Sequence, residues 1–280
     1  VAIALAALVV APACGDGDAN DPETGAGGDA TQRCKSLHGS AMARVEVEGE
    51  SFCIDRTEVT RDDYAAFLAA GAPTPPAPPG LSICAAPNAH LPDASCLSTG
   101  TGAAALCKGE SCGSHAQTCV TFCDAVAFCA WAGKTLCGPK GGGYGVSTTA
   151  RPLQDRWLLA CGDGLRADGA VRVRYGYAGE YEPGRCSTDD NASVPVGSKP
   201  RCSIRSDASV LDMVGGVQEW TGTLFEDNET TKTAVPVARG GASFGLASGR
   251  DAECSAGFSA DTAGREADPS VGIRCCKDAD

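Results

Sequence analysis

Aromatic side chains make up only 5 % of this 280-residue chain, and histidine occurs three times, as His38, His90 and His115. The first shortage leaves few large apolar anchors for a core, so covalent cross-links are expected to replace part of what packing does not supply. The second argues against structural zinc, because the histidines are far apart and no Cys-x-x-Cys pair occurs. Positive charge is also short: 23 Lys and Arg stand against 35 Asp and Glu, a net charge of -12, and basic residues form no long run. Binding a phosphate backbone needs a basic face, so nucleic acid is excluded as a partner. The apolar run at the amino terminus, Val1 to Ala13, is too short to span a bilayer as a helix.

What the chain has in quantity is cysteine, 17 residues, alongside 36 Gly and 16 Pro. Cysteine at this density points to an oxidising compartment. The amino terminus agrees, since VAIALAALVVAPA reads as the apolar core of a secretory signal peptide. Cys14 follows Ala11-Pro12-Ala13 as at a bacterial lipoprotein cleavage site, where the cysteine becomes the lipidated first residue. Two readings stand: an envelope lipoprotein in the periplasm or at the cell surface, or a secreted protein in which Cys14 is lost or unmodified. Residues 1–14 are therefore read as signal peptide with its lipidation cysteine, and 15–33 as a flexible tether without apolar periodicity. Setting Cys14 aside leaves sixteen of the 17 cysteines, an even number that fits eight disulfides.

The remaining 34–280 read as one α+β domain. Alternation over Val45–Ile54 predicts a half-buried strand or hairpin turning at Gly49. A helix follows, capped by Thr60 with Asp63 three residues on, and ended by Gly71. Residues 72–118 open on APTPPAPPG and carry Cys84, Cys96, Cys107 and Cys112 through Pro, Gly, Ser and Ala; they read as an irregular, bridge-held insertion. Further helices are predicted over Asp124–Ala132, with Ala125, Phe128, Cys129 and Ala132 inward, and over Leu153–Cys161, with Trp157 and Leu158 buried. Short strands are expected at Val171–Val173, Val235–Ala238 and Val271–Cys275. The glycines of Gly138–Gly145 lack a GxxxxGK[ST] pattern and read as a surface loop.

Six segments, in order, resemble the formylglycine-generating enzyme family, also called sulfatase-modifying factors. They are Phe52-Cys53-Ile54-Asp55-Arg56-Thr57-Glu58-Val59-Thr60, Asp124 through Lys134, Trp157 with Ala160-Cys161, Leu211 through Trp220, Arg239-Gly240-Gly241-Ala242-Ser243-Phe244, and Gly272-Ile273-Arg274-Cys275. The resemblance implies a loop-rich, disulfide-stapled fold related to C-type lectins. It also implies the bridges Cys129 to Cys275 and Cys161 to Cys254. Placement alone suggests Cys34 with Cys53, Cys186 with Cys202, and Cys137 with Cys276.

The family's enzymes oxidise a substrate cysteine with O2 and a copper ion on two thiolates, and soft thiolates suit Cu(I). Those cysteines follow the Gly-Gly-Ser-aromatic motif, and here the corresponding positions fall near Leu246 and Asp251, so copper and an oxidase are argued against. The calcium pattern is eroded too: Gly216 stands where the family has Asn, leaving Glu219 as the candidate oxygen ligand. Calcium is left open, against a reading of Glu219 as a surface or helix-cap carboxylate. Asp189 and Asp190, near the family's other calcium region, are read as a solvated loop. Relatives that use non-haem iron hold it on a histidine cluster, which three scattered histidines do not provide.

The resulting expectation is a binding module without oxidase chemistry, presenting a cleft of Trp220, Arg239, Ser243, Phe244 and Arg250 to a protein, peptide or glycan ligand. An oxidase with a rearranged metal site is the competing reading, and a structural envelope component is a third.

Overall fold

The hairpin forms where alternation predicted it. The computed structural model describes residues 34–73, 81–84, 89–98, 107, 112–148, 154–190, 193–226, 234–242, 251–259 and 266–279. Strands β1 (Met42–Val47) and β2 (Glu50–Asp55) pair antiparallel across Glu48 and Gly49. Both turn residues have positive φ, 52° and 76°, as a two-residue hairpin loop of the right twist requires. Glu48 bears that conformation while its carboxylate accepts from the Leu165 N–H at 2.6 Å.

Helix α1 (Arg61–Ala69) starts from the Thr60/Asp63 capping box, and Gly71 follows its end at φ 85°. The insertion is less irregular than its composition suggests, because it holds a 3-10 turn at Ser82–Cys84 and a short helix α2 (Ala94–Ser98). Two of its bridges reach out of it, Cys84 to Cys123 and Cys96 to Cys119, and fasten it to the start of the next helix; Cys107 to Cys112 closes within it.

Helix α3 runs over Phe122–Trp131, two residues ahead of the predicted start. Thr121 is the cap, and Asp124 is the third helical residue returning a bond to the Thr121 N–H. Strand β3 (Thr135–Leu136) and strand β4 (Gly145–Thr148) follow. Gly138, between them, serves close packing: a Cβ there would lie 1.8 Å from the Gly143 carbonyl oxygen. Helix α4 (Arg156–Gly162) begins later than predicted because Asp155 caps it, accepting from the Leu158 N–H at 2.7 Å. Leu153 lies outside the described residues, Trp157 is fully buried and Leu158 is half-buried.

The expected strand at Val171–Val173 is absent; Val171 makes only an isolated bridge to Leu165. The other two expectations fall on strands. After β5 (Gln218–Glu226) come β6 (Ala234–Arg239), β7 (Gly257–Ser259), β8 (Val271–Ile273) and β9 (Cys275–Asp278). What read as one strand over Val271–Cys275 is two, in different sheets. Strand β8 joins β5 in parallel, in the sheet ordered β4-β5-β6-β7, whereas β9 joins the sheet ordered β1-β2-β9-β3. The chain changes sheets at Arg274.

The two largest buried clusters each hold one fully buried tryptophan. Trp157 packs with Phe52, Ile54, Leu159 and Met213, while Trp220 packs with Phe122, Phe128, Leu224 and Ile273. Disulfides run through both. Cys129 to Cys275, Cys137 to Cys276, Cys161 to Cys254, Cys34 to Cys53 and Cys186 to Cys202 are all formed, so every cysteine from Cys34 onward is bridged. Eight disulfides belong to an oxidising environment. Among the described residues, no helix is long and apolar enough to cross a membrane.

Candidate functional site

At the sheet crossover the backbone is buried on both sides, so the Arg274 side chain has no route to solvent and is 0 % exposed. A buried guanidinium persists only where its donors and its charge are met. Its Nε lies 2.9 and 2.8 Å from the two oxygens of Glu219 on β5, and the Asp55 and Leu211 carbonyls accept from its terminal nitrogens at 2.8 Å each. Arg274 therefore ties together β5, the end of β2 and the loop that leads into β5. Trp157 of α4 completes the group by donating its indole N–H to Glu219 Oε2 at 2.5 Å.

More acid than base is buried here. Glu58 stands 3.7 Å from Arg274, Asp212 lies close by, and Asp55 pairs with Lys134 at 2.5 Å while accepting from the Cys275 N–H. Four carboxylates thus share two cations. Burial pushes the Asp55 carboxyl up to about 6 although Lys134 opposes it, and burial does the same to Asp212, also to about 6. Glu58 is raised well above its ordinary value by burial, then by Asp212. Burial acts against the charge on Arg274 as well, but Glu219, Glu58 and Asp212 outweigh it and keep the guanidinium protonated. Glu58 and Asp212 line a cavity of about 20 Å³, and the Glu58 Oε2 there has no hydrogen-bond partner. That volume admits one water molecule.

The sign of the pH dependence follows. A carboxyl whose folded value is about 6 and whose ordinary value is 3.8 stabilises the fold fully below pH 3.8 and loses that contribution as pH rises through 6. Asp212→Asn keeps the acceptor for the Gly197 N–H and removes the titration. Relative to the parent chain, this variant is expected to gain about 2 kcal/mol between pH 4 and pH 7, read from urea midpoints. Parallel profiles for the two proteins would contradict the assignment.

The residues read as cleft or ligand sites separate. Glu219 is neither a surface carboxylate nor a helix cap: it is 0 % exposed, in a strand, with both oxygens on Arg274 and Trp157. With both carboxylate oxygens taken by Arg274 and Trp157, the residues present do not fit a calcium ion on Glu219. Among the described residues no three His, Cys, Asp or Glu side chains converge on a metal-sized site. Trp220 also belongs to the core instead of a cleft wall. It is 1 % exposed, donates to the Val120 carbonyl at 3.3 Å and meets Phe122 edge to face.

Arg239 holds Asp155 at 2.8 Å, so its guanidinium links β6 to the cap of α4. Asp251 is exposed. Ser243, Phe244, Leu246, Arg250 and Cys14 lie outside the described residues. Cys254 is fully buried in its bridge to Cys161, which removes it as a copper ligand. Asp189 is exposed and accepts from Tyr181 and Thr188, and Asp190 pairs with Lys199 at 3.2 Å. The residues that organise this region, Arg274, Glu58, Asp212 and Asp155, carry no role in the sequence reading. A lone arginine inside the apolar and cysteine run VGIRCC is the one signal that could have drawn attention to it.

A family model for the sulfatase-modifying factor enzyme 1-like domain matches residues 21–279. Two solved structures are similar over most of their length. The crystal structure of CarF is 19 % identical, with 88 % of this chain and 97 % of that chain covered and a TM-score of 0.49. The structure of PvdO from Pseudomonas aeruginosa is 17 % identical, with 87 % and 91 % covered and a TM-score of 0.46. No curated protein matches the sequence.

Proposed function

We propose that this chain, which belongs to the sulfatase-modifying factor enzyme 1-like family, is an exported, lipid-anchored binding module without the family's copper-thiolate oxidation. The observation that carries this reading is the state of the cysteines: all sixteen from Cys34 onward are in disulfides, Cys254 included. Oxidation of a substrate thiol on copper needs thiolates to hold the metal, and a disulfide sulfur is not a thiolate. Leu246 and Asp251, at the positions corresponding to the family's pair, supply no sulfur either.

Export is supported by the eight bridges and by the apolar run ahead of Cys14, and the anchor by the sequence around Cys14 itself. The ligand is a protein, peptide or glycan met by the loops after β6, where Ser243, Phe244 and Arg250 belong in the sequence. Folds of this kind take their specificity from loops carried by a rigid frame, and bridges at Cys161 to Cys254 and Cys129 to Cys275 supply that frame.

Oxygen uptake by the copper-loaded chain, with a cysteine-containing sulfatase peptide as substrate, tests the reading. The expected rate equals that of copper and peptide alone. Turnover that depends on the chain and disappears in Cys254→Ser would establish the oxidase instead.

A further inference from the structure

A second concavity lies beside β1, the outer strand of its sheet, away from the residues treated above. Its volume is about 490 Å³, within the range of roughly 300–1,000 Å³ that holds small ligands. Cys34, Lys35, Arg44, Arg56 and Asp207 are among its lining residues. In a chain of net charge -12, three cations against one acid make a local reversal of sign. The three are scattered along the sequence, so no basic run announced them; the β1–β2 hairpin and the Cys34 to Cys53 bridge bring them together.

The charges differ in how far they are already satisfied. Asp207 accepts from the Ser209 N–H at 2.8 Å and its hydroxyl at 2.7 Å. Arg44 pairs with Glu46 at 3.0 Å and donates to the Ser51 hydroxyl. Lys35 and Arg56 are exposed, and among the described residues no ion pair or hydrogen bond engages either side chain. Two cations with no partner among the described residues therefore border a hollow whose one described acid, Asp207, is held by Ser209 in its own turn.

We propose that this pocket binds an oxyanion, the phosphate, sulfate or carboxylate group of a small ligand, on Lys35 and Arg56 with Arg44 at its side. A guanidinium offers a planar fork to such a group and an ammonium adds a point charge, the combination that favours oxyanions over chloride. The field of the whole chain repels anions, so affinity rests on these short-range contacts and falls as salt screens them.

Inorganic phosphate and sulfate, titrated into the full chain by calorimetry, are the probes. Phosphate or sulfate is expected to bind, at least ten-fold more weakly to Lys35→Ala/Arg56→Ala and unchanged to Arg166→Ala, whose exposed cation does not line the pocket. Equal urea midpoints for all three proteins establish that the variants fold. Co-sedimentation with phosphatidylglycerol vesicles separates the sources of the oxyanion. Vesicle binding that phosphate displaces and the double variant lacks assigns a lipid headgroup, while phosphate binding without vesicle binding assigns a free ligand. Absence of binding by both ions, or equal affinity in the double variant, overturns the proposal.

Discussion

Arg274→Met is expected to lose at least about 4 kcal/mol of stability, or to yield no folded chain at all, because truncating one partner of a buried pair strands the other. Glu219 would keep the indole of Trp157 but lose both contacts to the guanidinium, and the Asp55 and Leu211 carbonyls would lose their donors. The remaining acids would then keep Lys134 at Asp55 and the more distant Lys199 at Asp212. A structural role of this kind has a signature beyond simple loss. Arg274→Met combined with Glu219→Leu removes both charges and should recover part of the deficit, since two buried ions exchanged for apolar groups approach neutrality. Arg274→Lys, which keeps the charge without the fork, should fall between. Urea unfolding of the exported chain measures all three. A loss below about 1 kcal/mol for Arg274→Met would remove the crossover from the account of stability.

The second large effect is expected from Cys129→Ala/Cys275→Ala. This bridge joins residues 146 apart in sequence, while Cys107 and Cys112 are 5 apart. The neighbouring bridge Cys137 to Cys276 already closes most of the longer loop. On the chain-entropy scale Cys129 to Cys275 and Cys107 to Cys112 are therefore worth similar amounts, about 2.6 and about 2 kcal/mol. The larger loss comes from the cavity left when two fully buried sulfurs are removed. Cys129 lies in α3 and Cys275 begins β9, both fully buried, so the long bridge also joins the helix to the sheet beside the Arg274 crossover. The variant without it is expected to unfold at a urea concentration far below that of Cys107→Ala/Cys112→Ala. The same ordering should appear in thermal melts. Equal losses for the two variants would show that the burial of Cys129 and Cys275 adds nothing to what their cross-link contributes.

Local chemistry was legible. Thr60 with Asp63 and the alternation around Gly49 depend on neighbours in sequence, and both elements formed as read. Thr121 with Asp124 has the same spacing and caps the next helix two residues ahead of the expected start. Pairing of distant cysteines came from the resemblance for Cys129 to Cys275 and Cys161 to Cys254; periodicity carries no such information.

The candidate site was less legible, for a physical reason. Charge in a sequence reads as surface, and whether a carboxylate is buried depends on a partner far along the chain. Glu219 and Arg274 are 55 residues apart and Asp55 and Lys134 are 79 apart, so neither pair has a local pattern. Nor does alternation reveal that β8 and β9 belong to different sheets, because all residues from Val271 to Cys276 are buried. Trp220 misled in the opposite direction: the resemblance placed it in a ligand cleft, yet it is buried in the core and donates to the Val120 carbonyl.

The count of free thiols tests the central claim most directly. The exported chain, alkylated in denaturant without reductant and mapped by mass spectrometry, should show no label on any cysteine from Cys34 onward, with Cys254 recovered in a peptide linked to Cys161. Alkylated Cys254 together with a second labelled cysteine would restore a thiolate pair and contradict the binding-module account.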